Sequence, residues 1–127
     1  MAFRFIIAED APFLREMMKE NLNSIGGVCV AECGNGSECI EKYRLYLPDI
    51  LLIDLVMPQK NGIEALKEIA DINPEVKVII CTTLDQDQFD ISAIPLKETF
   101  YLQKPFQKNE LIEKINLALK TQEEELR

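Results

Sequence analysis

The chain has 127 residues, of which 47% are hydrophobic, and it carries a net charge of −8 at pH 7. That size and apolar content fit one domain with a full core over residues 1–127. The acidic balance argues against direct nucleic-acid binding, which needs a basic footprint, and no apolar run is long enough for membrane insertion.

Residues 3–8, Phe-Arg-Phe-Ile-Ile-Ala, read as a first strand, with Glu9 and Asp10 directly after it. Two adjacent carboxylates repel unless a cation lies between them. Pro12 suits the first turn of a helix, and Leu14, Met17, Met18, Leu22 and Ile25 recur at helical spacing to about Ser24. Gly26-Gly27 ends that helix. Residues 28–31 read as a second strand. Asn35-Gly-Ser-Glu38 has the form of a capping box, opening a helix with Cys39, Ile40, Tyr43 and Leu47 inward.

Pro48 closes that helix, and Ile50 to Ile53 form a continuous apolar run, as expected of a strand buried on both faces. Asp54 follows at once. A lone carboxylate there is poorly placed for stability, although it could merely cap a turn. Met57-Pro58 and Asn61-Gly62 force a tight loop. A third helix then carries Ile63, Leu66, Ile69 and Ala70 on one face, up to Asn73-Pro74. Residues 76–81 read as a fourth strand running into Thr82-Thr83.

The least legible stretch is 84–98, with Asp85, Asp87 and Asp90 among Phe89, Ile91 and Ile94, and with Pro95 interrupting. It reads as a short, weak helix, irregular or mobile until something orders it. Residues 99–102 form a fifth strand, ending at Lys104-Pro105-Phe106. A last helix from near Gln107 buries Leu111, Ile112, Ile115, Ala118 and Leu119. Residues 123–127 form a charged, solvated tail. The cysteines at 29, 33, 39 and 81 lie in or beside apolar stretches. With no His and no C-x-x-C pair, they read as reduced core thiols, not a metal site. No basic start followed by an apolar stretch suggests a signal peptide, so a cytoplasmic protein is expected.

Five strands alternating with five helices predict an α/β fold with a doubly wound, five-stranded parallel sheet. All carboxyl ends of such a sheet lie along one edge, where ligands bind. Glu9, Asp10, Asp54, Thr82 and Lys104 each follow or end a strand, so they can converge. Three carboxylates make a hard oxygen site suited to Mg²⁺. Lys104 is a mobile positive charge that can meet a carboxylate or a phosphoryl oxygen. Thr82 offers a hydroxyl, and an Asp carboxylate can attack phosphorus.

With these residues together, the chain resembles the CheY-like receiver domains of two-component response regulators. The carriers are Glu9-Asp10, Asp54, Met57-Pro58 with Asn61-Gly62, Thr82, and Lys104-Pro105-Phe106. The resemblance implies a flavodoxin/CheY-like (βα)5 fold with strand order 2-1-3-4-5. It implies that Asp54 is the phosphoacceptor and that Glu9, Asp10, Asp54 and the backbone carbonyl of Val56 hold Mg²⁺. Thr82 and Lys104 would bind the phosphoryl group, and Tyr101 would switch with Thr82. The donor would be a histidine kinase or phosphotransfer domain. A downstream protein would read the face made by 84–98, 100–102 and 107–122, with chemotaxis as a candidate pathway. No turnover of other substrates is implied. The chain departs from the family pattern at Val56, which is apolar, at Thr83, which is larger than usual, and at Lys97-Glu98, where Gly-Ala is common.

Other readings use the same strand ends. A haloacid-dehalogenase-type phosphatase would need a general acid where Val56 stands. A flavodoxin would need hydroxyl and Gly groups in the loop from Glu9 to Pro12. An inert receiver-like interaction module would not need the intact acidic pair, Thr82 and Lys104. The chain could also be a receiver cut from a longer regulator with an output domain.

Overall fold

The apolar run Ile50–Ile53 forms β3, the middle strand of a parallel sheet, in a computed structural model that describes the backbone of residues 2–125 and the side chains of 2–120. The others are β1 (Phe3–Ala8), β2 (Gly27–Cys33), β4 (Lys77–Thr82) and β5 (Thr99–Gln103), in the order β2-β1-β3-β4-β5. Every residue of β3 and β4 is buried, which is why these strands show no apolar alternation. Doubly wound parallel topology and strand order are therefore as expected.

Four helices cover the two faces: α1 (Pro12–Asn23), α2 (Gly36–Tyr46), α3 (Gly62–Ile72) and α4 (Lys108–Glu125). Met18 and Leu22 of α1 share one core with Leu111, Ile115 and Ala118 of α4, packed on Phe5, Ile7, Ile50 and Leu52. Cys39, Ile40 and Tyr43 of α2 share the other with Ala65, Leu66 and Ile69 of α3, packed on Ile6, Leu51, Ile53 and Ile80. Asn35 caps α2 by accepting from the Glu38 N–H at 2.9 Å, while the Glu38 carboxylate accepts from Gly34 N–H at 3.2 Å. The box thus closes one residue upstream of its usual place. Asn61 caps α3 in the same way, accepting from Glu64 N–H at 2.9 Å.

Several expectations are corrected. There is no α-helix between β4 and β5. Two 3-10 turns, Gln86–Gln88 and Ile91–Ala93, stand there instead. Asp85 and Asp90 each cap a turn locally, and few apolar residues hold the segment down, so single turns replace a helix. Leu47 does not point inward. It adopts the left-handed conformation at the end of α2 (φ 44°) and is 55% exposed. Met17 is exposed, and Ile112 only half-buried. In the charged tail, backbone 123–125 continues α4, while its side chains and residues 126–127 lie outside the described residues.

Two glycines fix the loop after β3. A Cβ at Gly62 would lie 2.6 Å from the Asp54 carbonyl oxygen and from Leu55 Cα. A Cβ at Gly36 would overlap the Lys60 carbonyl, to which Gly36 N–H donates at 2.9 Å. Gly62→Ala should therefore lower stability by about 1–3 kcal/mol. Gly34→Ala, whose new methyl meets only side-chain atoms at 3.7 and 3.9 Å, should stay within about 0.5 kcal/mol. Thermal unfolding followed by circular dichroism compares the two. Equal stabilities would show that the loop does not need the close approach.

Candidate functional site

Backbone hydrogen bonds continue the sheet ladder past the strands and so align the candidate residues. Glu9 N–H donates to Cys33 carbonyl (2.9 Å), Asp54 N–H to Ala8 carbonyl (3.0 Å) and Lys104 N–H to Thr82 carbonyl (2.8 Å). Parallel register, with Ala8 beside Ile53 and Ile53 beside Ile80, brings these residues to one edge. The Lys104–Pro105 peptide is cis.

At this edge Lys104 Nζ donates to Asp54 Oδ2 at 2.8 Å and to Glu9 Oε1. Glu9 Oε2 accepts from Ala11 N–H at 3.0 Å, and Asp54 Oδ1 accepts from Val56 N–H at 3.1 Å. Both carboxylates are nearly inaccessible, Glu9 at 2% and Asp54 at 7%, whereas Asp10 is exposed. Burial pushes the Glu9 carboxyl above its usual range, although Lys104 and the Ala11 N–H work against that shift. Burial works to lower the Lys104 pKa, but its bonds to Asp54 and then Glu9 outweigh that and hold the ammonium above the usual lysine range. The nearby Cys81 thiol is pushed far up by burial and stays protonated.

One ligand oxygen from each of Glu9, Asp10 and Asp54 lies within 4.8 Å of the others. Three hard oxygens at this spacing suit Mg²⁺, which takes few protein ligands and keeps waters. The residues present thus fit the ion. Lys104 already offsets part of the charge of two of the three.

Thr82 and Tyr101 sit differently. Thr82 is fully buried at the end of β4, and its hydroxyl oxygen accepts from Leu84 N–H at 3.3 Å. Tyr101, half-buried on β5, donates its hydroxyl to the Leu84 carbonyl and stacks at a tilt on Phe89, with centroids 5.9 Å apart. The two are joined through the backbone of Leu84. Val56 exposes 54% of its surface and offers no polar side-chain atom of its own near Asp54.

Sequence reasoning missed three residues. Arg15 donates to the Glu9 carbonyl at 2.8 Å, and its position one helical turn after Ala11 could have suggested this. Gln103, next to Lys104, donates to Asp85 Oδ1 at 2.6 Å. Leu84 acts through its backbone, which side-chain type cannot reveal.

Residues 5–116 match the family model of the response regulator receiver domain. The chemotaxis protein CheY of Thermotoga maritima is 38% identical over 120 residues, covering 94% of this chain and 100% of that protein. The CheY of Bacillus subtilis is 40% identical over 119 residues, covering 94% and 99%. Among solved structures, the REC domain of AraT, a response regulator from Geobacillus stearothermophilus, gives a TM-score of 0.87 at 29% identity, with both chains fully covered. A CheX–CheY–BeF3–Mg complex from Borrelia burgdorferi gives 0.84 at 22% identity, covering 92% and 89%, a likeness of fold. Receiver domains bind Mg²⁺ at an acidic pocket, and the Glu9–Asp10–Asp54 cluster is of that kind.

Removing the ammonium leaves two buried carboxylates facing each other. Lys104→Met should therefore destabilise the protein by about 2 kcal/mol, less than a fully buried pair would lose because Lys104 keeps some solvent access. Adding Asp54→Asn to Lys104→Met should recover much of the loss, since it removes the repulsion. Chemical denaturation of the single and double variants checks this, and a double variant no more stable than Lys104→Met would contradict it.

Proposed function

The chain belongs to the response regulator receiver family, and on that premise we propose that Asp54 accepts a phosphoryl group from the phosphohistidine of a histidine kinase or phosphotransfer domain. The supporting observation is the contact of Asp54 with Lys104 inside a cluster of three convergent carboxylates. We read residues 1–127 as one receiver domain that carries out this self-phosphorylation and its reversal, with no other substrate. Similarity to chemotaxis proteins supports a role of that type in a cytoplasmic pathway.

In this reading Glu9, Asp10, Asp54 and the Val56 carbonyl would hold Mg²⁺, which when bound offsets charge on the transferring oxygens. An Asp54 carboxylate oxygen attacks phosphorus, and the histidine nitrogen leaves with the bonding pair. Lys104 turns from the carboxylates to a phosphoryl oxygen, a change of partner within reach of its flexible stem. The Thr82 hydroxyl, which accepts from Leu84 N–H in this structure, donates to another phosphoryl oxygen. Reaching that oxygen moves the Thr82 side chain away from Leu84 N–H, and the Tyr101 bond to the Leu84 carbonyl loosens with it. The face made by 84–98, 100–102 and 107–122 then changes for a downstream partner.

Two measurements test the reading. Acetyl phosphate with Mg²⁺ should label the native protein and not Asp54→Asn, as read by intact mass. Undiminished labelling of that variant would remove Asp54 from the role. The phosphoprotein should also decay slowly, because the exposed, apolar Val56 cannot orient a water. Val56→Asn should speed decay by about tenfold to a hundredfold. No acceleration would mean that water is positioned from elsewhere.

A further inference from the structure

The segment that replaces a helix between β4 and β5 carries two features that the phosphoryl chemistry leaves unused. First, its apolar residues are incompletely covered. Ile91 is 40% exposed, and Leu84, Phe89, Leu96 and Tyr101 are half-buried around the Phe89–Tyr101 ring pair. A continuous helix would lay a side-chain row over this part of the sheet, and single 3-10 turns do not. Second, the charge around the ring pair has one sign, with Lys97 standing at the far end of the segment. Residues 78–96 contain no Lys or Arg but include Asp85, Asp87 and Asp90, all exposed. The described hydrogen-bond donors to Asp85 and Asp90 are neutral: the Gln103 amide, the Gln88 backbone and Ser92. Three exposed carboxylates thus stand beside the apolar patch.

An apolar centre with an acidic rim selects a partner by both terms. Burying Ile91 and the open edges of Phe89 and Tyr101 supplies the anchor, and the rim favours cations and repels anions. We propose that residues 84–91 together with Tyr101 form a docking patch for a cationic amphipathic segment of a partner protein, with Lys or Arg flanking an apolar anchor. This rests on the output face named above but adds the chemistry of what it reads. An acidic partner segment is disfavoured.

The probe is a synthetic helical peptide of about 16 residues with a Leu face and a Lys face, labelled for fluorescence anisotropy, and a twin with Glu replacing Lys. The Lys peptide should bind the native protein, and the Glu twin should not. Asp87→Lys and Ile91→Asp should each weaken binding by about tenfold. Glu20→Lys, an equal charge reversal on the exposed side of α1, should leave it within about twofold. Amide shifts on adding the Lys peptide should concentrate at 84–94 and 99–103. Equal weakening by Glu20→Lys, preferred binding of the Glu twin, dispersed shifts or self-association through this face would each overturn the proposal. Thermal melts confirm that the variants are folded, and acetyl phosphate labelling is read on the same samples. Loss of labelling in the native protein would defeat the phosphoacceptor reading while leaving the peptide result to stand or fall alone.

Discussion

Two carboxylates taken out of water at the carboxyl edge of the sheet, sharing one ammonium, set the terms for this molecule. Glu9 and Asp54 are both nearly inaccessible, and each places an oxygen on Lys104 Nζ. Desolvating two like charges together is costly, and one cation relieves only part of the cost. That cation comes from 50 residues beyond Asp54 and 95 beyond Glu9. The site therefore exists only when β1, β3 and β5 are in register. The residual negative charge, including Asp10, is what favours a divalent cation there. Stability of the free protein and affinity for the charged ligand are thus opposed consequences of one arrangement.

The loop beyond Asp54 shows how closely the backbone must be held for this to work. Gly62 lets α3 begin against the Asp54 and Leu55 backbone, and its N–H donates to the Leu55 carbonyl at 2.9 Å. Gly36 lets the start of α2 reach the Lys60 carbonyl on the same loop. The ion pair of Lys60 with Glu68 ties the loop's far end to α3. With both ends held, the Val56 N–H stays on Asp54 Oδ1, and the carboxylate keeps one orientation.

The sheet was legible because its signals are strong and local. Ile50–Ile53 and the run ending at Cys81 are uninterrupted apolar stretches, and each chemically pointed residue stands at a strand end where topology brings such ends together. Asn35 was legible as a helix cap for the same local reason. The 84–98 segment was half legible. Its scarcity of apolar residues and its Pro95 point to irregularity, although the alternation of strands with helices still predicts a helix there. Side-chain caps from Asp85 and Asp90 close single turns, which helical spacing alone does not register. Leu47 was misplaced because a left-handed residue turns its side chain off the helical face, and Leu carries no mark of that conformation. Gln103 and Leu84 act across strands or through the backbone, and those pairings depend on register rather than residue type, whereas the Arg15 contact with the Glu9 carbonyl is local.

Leu84 is bonded on both sides of its backbone. Its N–H reaches Thr82, and its carbonyl receives the Tyr101 hydroxyl. The Thr82 contact is neutral and 3.3 Å long, and such bonds contribute about 1 kcal/mol or less. A bond from the same hydroxyl to a phosphoryl oxygen is charge-assisted and is stabilising by about 1.5–3 kcal/mol. In the proposed switch Leu84 N–H would be released by movement of the Thr82 side chain rather than by competition for its proton, and the two states would stay within a few kcal/mol of each other. The segment that would move in the proposed switch has two short turns in place of a helix. A rigid helix there would resist the displacement of Leu84, whereas single turns would let the proposed movement reach Tyr101 and the aromatic patch around Phe89 at low cost.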